Sequence, residues 1–283
     1  MRLSRLLSLL LLTMSLSAFA AESPQPPVVW NNPAPPTLGR DVHHRSFSSP
    51  SIGEEVGYNV YLPPGYNDPA QRETRYPVIY FLHGATGNEN SDAAGVAGLV
   101  ARFIAEKKIP PVICVFPNGG PRSGYRDHPG SKQMVETMII QELLPRIDRE
   151  LRTQPTREAR SIFGFSMGGA GAVRFALTYP DLFSAAGAWA GAFRYRTNPE
   201  NTLPPIYAVD ALQPLASRVQ LLLVVGTEDS TLASHSPFLQ NLVAAKFPFA
   251  FELLANVAHD PGAYYQHSGE KMIRFLTAGF PPR

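Results

Sequence analysis

The chain has 283 residues, 44% of them hydrophobic and 17% charged, which supplies a core for one large domain or two modest ones and excludes a disordered or fibrous chain. Lys and Arg number 25 against 23 Asp and Glu, and Arg2 and Arg5 lie in an N-terminal targeting segment, so the rest of the chain is close to neutral. That balance argues against nucleic acid or an anionic membrane as a partner.

The first twenty residues carry Arg2 and Arg5, an apolar run from Leu6 to Leu12 and the small-residue pattern Ala18-Phe19-Ala20. Together these read as a signal peptide cleaved after Ala20, and the expected localisation is secreted or periplasmic. The apolar run is too short for a membrane anchor, and none of spanning length follows downstream. From Ala21 to about Gly39 the chain is Pro-rich and reads as an extended arm with little structure of its own. The single cysteine, Cys114, sits in the apolar stretch Pro111 to Phe116 and reads as a buried small hydrophobe.

Beyond the arm, strand-like and helix-like segments alternate. Strands are expected over 58–62, 77–82, 112–116, 161–165, 183–189, 219–225 and 249–254, where short Val-, Ile- and Phe-rich runs end at turn residues. Helical spacing predicts helices over 93–107, 132–151 with a kink or restart at Pro145, 168–178, 237–246 and 262–278. This alternation predicts an α/β fold, a mostly parallel central sheet with helices on both faces. Functional residues in such folds gather at the strand ends.

Gly164-Phe165-Ser166-Met167-Gly168 fits G-x-S-x-G, the strained strand-to-helix turn that exposes a serine hydroxyl beside a helix N-terminus. A serine hydroxyl is a poor nucleophile until a base takes its proton, so a histidine is required. Of the seven histidines, the order of the fold leaves His235, His259 and His267 after the serine. His259 lies in a short loop between the last strand and the last helix and is the candidate base; His235 and His267 read as solvent-exposed residues just before and within helices. The acid should follow the penultimate strand, where Glu228 and Asp229 stand, and Asp229 is the choice. Oxyanion donors are expected from the backbone N–H of Met167, directly after the nucleophile, and of Ala85, in the loop His83-Gly84-Ala85-Thr86-Gly87. His83 reads as a structural histidine bracing that loop. The loop from Gly119 to Gly130 offers Tyr125, Arg126, Asp127 and His128, either as substrate contacts, Tyr125 and Asp127 first, or as solvated loop residues. The chain has no H-E-x-x-H and no Cys/His cluster, so no metal and no cofactor is expected.

The stretches Tyr61-Leu62-Pro63-Pro64-Gly65-Tyr66, His83-Gly84 with Gly87-Asn88-Glu89, Pro117-Asn118-Gly119-Gly120 with Tyr125 and Asp127, Glu142 to Asp148, Gly164 to Gly169, Gly226-Thr227-Glu228-Asp229-Ser230 and His259-Asp260 resemble the esterase D/feruloyl esterase group of α/β hydrolases. That group is similar to the family 1 carbohydrate esterases and includes S-formylglutathione hydrolases, enterochelin esterases and mycolyltransferase antigens. The resemblance runs from about Val42 to Phe275. It implies an α/β-hydrolase fold, with Ser166 as nucleophile, Asp229 as acid, His259 as base and Met167 and Ala85 as oxyanion donors. The expected organisation is a signal peptide over 1–20, an arm over 21–39 and a single α/β-hydrolase catalytic domain over 40–283. The expected function is an exported serine carboxylic-ester hydrolase acting through an acyl-enzyme on feruloyl or acetyl esters of carbohydrates or similar small esters, with a small-molecule or carbohydrate ester as its partner. The alternatives are a mycolyltransferase-like acyltransferase, a periplasmic siderophore esterase and a non-catalytic ligand-binding module. The sequence does not set the oligomeric state.

Overall fold

The computed structural model describes residues 27–131, 133–193 and 203–281; the signal-peptide expectation and the first residues of the arm fall outside them. After the arm, β1 (Val42–Ser49) and β2 (Glu54–Tyr61) form an antiparallel hairpin, with Val42 opposite Tyr61. There follow β3 (Val78–Leu82), α1 (Ala93–Ala105), β4 (Ile113–Pro117) and a two-residue ladder of β5 (Asp127–His128) with β6 (Gln133–Met134). Next come α2 (Val135–Thr137), α3 (Leu144–Glu150), β7 (Arg160–Phe165), α4 (Met167–Thr178) and β8 (Ala185–Trp189). The chain closes with α5 (Val209–Leu212), β9 (Gln220–Gly226), α6 (Leu232–Ala244), β10 (Phe249–Leu254) and α7 (Pro261–Thr277).

Eight strands make one sheet in the order β1-β2-β4-β3-β7-β8-β9-β10. The hairpin is antiparallel and β4, β3, β7, β8, β9 and β10 run parallel, so the mostly parallel sheet read from the sequence is present. The inner strands are buried on both faces, which is why they read as unbroken apolar runs. Successive side chains alternate between two cores. Tyr80 and Leu82 join Val173 and Phe175 of α4 and Phe238 and Leu242 of α6 on one face. Ile79 and Phe81 join Val96, Val100 and Phe103 of α1 and Met272, Ile273 and Leu276 of α7 on the other. Cys114 is fully buried in this second core, and burial pushes its thiol pKa up. No helix among the described residues is long and apolar enough to cross a membrane.

Four local expectations change. The sheet has an additional strand, β1, and β2 begins at Glu54. Their segments, His43-His44-Arg45-Ser46 and Glu54-Glu55, are polar because they lie at the sheet's exposed edge and leave no apolar run to read. The helix expected over 132–151 keeps its expected restart at Pro145, since α3 begins at Leu144, but the segment before it is a π turn at Met138–Leu143. A proline lacks the N–H that an α-helix needs at that point, and the wider turn carries the chain past it. The helix expected from Pro237 begins at Leu232 and carries the proline inside it. The arm is docked on the domain: Trp30 is 5% exposed and its carbonyl accepts the Gly57 N–H at 2.7 Å.

Candidate active site

β7 ends at Phe165 and α4 starts at Met167, so Ser166 alone makes the turn between them, at φ 55° and ψ −116°. A non-glycine residue at positive φ costs about 1–3 kcal/mol and persists only where its surroundings hold it. Here the Ser166 N–H donates to the Trp189 carbonyl of β8 at 2.8 Å, while the Ser166 carbonyl accepts from Ala170 and Ala192. The two glycines of the motif are steric necessities. A Cβ on Gly164 would lie 2.5 Å from the Leu82 carbonyl oxygen, and one on Gly168 would overlap that same oxygen.

The structure brings Ser166, His259 and Asp229 together. His259 Nε2 is 3.0 Å from Ser166 Oγ, and His259 Nδ1 is 2.9 and 3.0 Å from the two Asp229 oxygens. The carboxylate accepts at Nδ1–H, which leaves Nε2 unprotonated and able to accept the serine proton. Phe165 packs on the imidazole with ring centroids 4.6 Å apart. Asp229 is 5% exposed. Its Oδ1 accepts from the Thr231 N–H and hydroxyl, each at 2.7 Å, and its Oδ2 from the Tyr264 hydroxyl at 2.7 Å. Burial works to raise the Asp229 pKa, but the His259, Thr231 and Tyr264 hydrogen bonds outweigh it and hold the carboxyl well below the usual carboxylate range. The Tyr264 hydroxyl also accepts the Gly226 N–H at 2.8 Å, which ties α7 to the end of β9. Thr231 and Tyr264 were not singled out in the sequence. The Asp-x-Thr spacing of an Asx turn could have signalled the first; nothing local signals the second.

On the opposite side lies the loop after β3. A Cβ on Gly84 would sit 3.5 Å from Ser166 Cβ, so this peptide borders the serine. His83 is 1% exposed and burial pushes its pKa down to about 4. Its Nε2 accepts the Gly119 N–H at 2.9 Å, so the proton resides on Nδ1, which donates to the Gly84 carbonyl at 2.8 Å. In a trans peptide C=O and N–H point oppositely, so fixing the Gly84 carbonyl fixes the direction of the Ala85 N–H. Among the described residues, neither the Ala85 nor the Met167 N–H has a backbone or side-chain acceptor. The Met167 N–H is free because it opens a helix.

The remaining candidates lie elsewhere. Tyr125 is fully buried, its hydroxyl donates to the His83 carbonyl at 3.0 Å, and its ring lies where a Cβ on Gly119 or Gly171 would be. That burial makes it a brace beneath the loop after β3, correcting the expectation of a substrate contact. Both Asp127 oxygens are taken by Thr137, by its N–H at 3.0 Å and its hydroxyl at 2.6 Å. His267 is exposed on α7. His235 is inside α6 and 1% exposed, against Phe193 at 4.9 Å, which corrects the expected solvent-facing position.

The esterase family model matches residues 49–273. Over 162 residues, 54% of this chain and 22% of the relative, the chain is 34% identical to an endo-1,4-beta-xylanase/feruloyl esterase of Xylanibacter ruminicola. It is 35% identical over 149 residues to an esterase of Mycobacterium tuberculosis, covering 51% of this chain and 31% of that protein. The chain thus spans a third or less of the length of these curated relatives. Among solved structures, a ferulic acid esterase superposes with a TM-score of 0.75 at 25% identity, covering 84% of this chain and 98% of that one. The family 1 carbohydrate esterase of Anaeromyces mucronatus, a ferulic acid esterase, shares the α/β-hydrolase fold at a TM-score of 0.66 and 20% identity, covering 84% of this chain and 90% of its own.

Proposed function

The chain belongs to the esterase family, and from that premise we propose that it is a serine carboxylic-ester hydrolase working through an acyl-enzyme on Ser166. The observation that carries the reading is the unbroken hydrogen-bonded path from Asp229 through His259 to a serine on a strained turn. Ser166 Oγ attacks the ester carbonyl as His259 Nε2 takes its proton, and the negative charge on the carbonyl oxygen is met by the Met167 and Ala85 N–H groups. Collapse breaks the bond to the alkoxy oxygen, which leaves as the alcohol with the proton from His259. Water then repeats the sequence, releasing the acid and restoring the serine. Asp229 stays ionised and stabilises the imidazolium.

The proposed substrates are feruloyl or acetyl esters of carbohydrates and similar small esters. The feruloyl esterase relatives support this choice. We place the protein outside the cytoplasm on the strength of its first twenty residues, and take 40–283 as one catalytic domain preceded by the arm. The test is a panel of p-nitrophenyl acetate, methyl ferulate, acetylated sugars and a cyclic catecholate ester, assayed with the mature protein and with Ser166→Ala. Turnover of the aryl ester and of methyl ferulate or an acetylated sugar, lost in the folded variant, is expected. A folded protein inert on every ester would overturn the reading, and preference for the catecholate ester would move it to siderophores.

A further inference from the structure

Glu89 is fully buried in the loop between β3 and α1, and its carboxylate meets three donors. Oε1 accepts the Asn32 N–H at 2.6 Å, and Oε2 accepts from Asn32 Nδ2 at 3.0 Å and Asn118 Nδ2 at 2.8 Å. No ion pair reaches it among the described residues. Buried polar oxygens are costly unless hydrogen bonds satisfy them, so a group that served only to fill space would not carry two of them. The site requires acceptors alone, which a neutral amide cannot supply.

What this carboxylate holds is the far end of a path to the oxyanion site. Asn118 follows β4 directly, and its Nδ2 also donates to the Val29 and Trp30 carbonyls of the arm at 3.1 and 3.0 Å. The next residue, Gly119, donates to His83 Nε2, and His83 Nδ1 holds the Gly84 carbonyl and so aims the Ala85 N–H. The same segment is tied again where the Thr86 N–H donates to the Pro121 carbonyl at 2.5 Å. Trp30 closes the arrangement from outside, its ring 3.0 Å from where a Cβ on Gly120 would stand.

We propose that Glu89 is a positioning residue for ester hydrolysis. It clamps the N-terminal arm, through Asn32, to the Asn118–Pro121 segment, and that segment sets the direction of the Ala85 N–H through His83. The inference rests on the reading of Ser166 as nucleophile and Ala85 as oxyanion donor. It assigns to the arm a part in catalysis that a linker would not have.

The test compares wild type with Glu89→Gln, which keeps the volume but turns an amide N–H₂ toward at least one of the three donors, and with Asn32→Ala, which removes the half-buried Nδ2 contact of the arm and leaves the core intact. Folding is checked by circular dichroism, and kcat and KM are measured on p-nitrophenyl acetate. Affinity for a boronic acid is measured too, because its tetrahedral serine adduct places an oxygen in the oxyanion site. Glu89→Gln is expected to lower kcat about ten- to a hundredfold with KM within about twofold, and to weaken boronate binding in parallel; Asn32→Ala is expected to show the same pattern about severalfold. Glu89→Asp, which retains the carboxylate, is expected to recover part of the Gln loss. Unchanged kcat and boronate affinity in the folded variants would overturn the proposal. Should Glu89→Gln not fold, wild-type kcat in Asn32→Ala would overturn it alone. A wild type that turns over no ester would refute the esterase reading itself, an outcome distinct from either.

Discussion

The two halves of the site are built differently. On the side of β7, β9 and β10, Asp229, His259 and Ser166 are joined in line by direct side-chain hydrogen bonds, and each stands in a loop or turn after a strand. On the side of β3 and β4 the proposed working group is a backbone N–H, and the side chains of the hydrogen-bonded network beside it, His83, Tyr125, Asn118 and Glu89, are buried. The contrast teaches that side-chain chemistry can be concentrated in three residues, whereas backbone chemistry depends on a network spread over the arm and two loops. Removing a member of the first half should abolish the reaction, and loosening the second should only reduce it.

The largest effect is expected from Ser166→Ala, with kcat falling by about 10⁵ to 10⁶ on p-nitrophenyl acetate and no further loss on adding His259→Ala, since the relay works as a unit. Asp229→Asn should cost about 10⁴ in kcat by losing the acceptor that orients Nδ1–H. A loss in Asp229→Asn no larger than that in Tyr125→Phe would erase the distinction between the halves. Gly168→Ala places a methyl on the Leu82 carbonyl oxygen and should destabilise the fold by about 3 kcal/mol or more, read as a lowered urea midpoint.

Stability should also depend on pH through two buried imidazoles. Burial moves both His83 and His235 down from 6.5 to about 4. Between those values the unfolded chain binds protons that the folded one refuses, so this stability is complete above pH 6.5 and declines as the pH falls toward 4, by about 1.4 kcal/mol per pH unit for each histidine. Urea midpoints measured across that range should fall on acidification, with a shallower slope in His235→Gln. The smallest effect is expected from Tyr125→Phe, which loses the hydrogen bond to the His83 carbonyl: about 1 kcal/mol of stability and a few-fold in kcat.

Much of the strand-end half was legible because its chemistry needs local patterns. Gly164 and Gly168 are where no Cβ fits, and Asp229 and His259 stand in the loops that follow β9 and β10. The inner strands were legible for a related reason: burial on both faces demands unbroken apolar runs. In the other half only His83 was legible, as the histidine that braces the loop after β3. Tyr125 in a Gly-rich loop looks exposed until the fold closes Gly119 and Gly171 around it. Pro-rich residues 27–39 have no periodicity, so the docking of Trp30 and Asn32 is a tertiary event with no local signal. His235 likewise carries no mark of burial, because its helix begins ahead of the proline that seemed to start it.

The most direct test of the central claim is to quench the reaction with p-nitrophenyl acetate in acid and map the modified peptide by mass spectrometry, for wild type and Ser166→Ala. The account predicts an acetyl group on Ser166 at early times that decays with turnover and never forms in the variant. Acetyl on another residue, or turnover by Ser166→Ala at the wild-type rate, would contradict it.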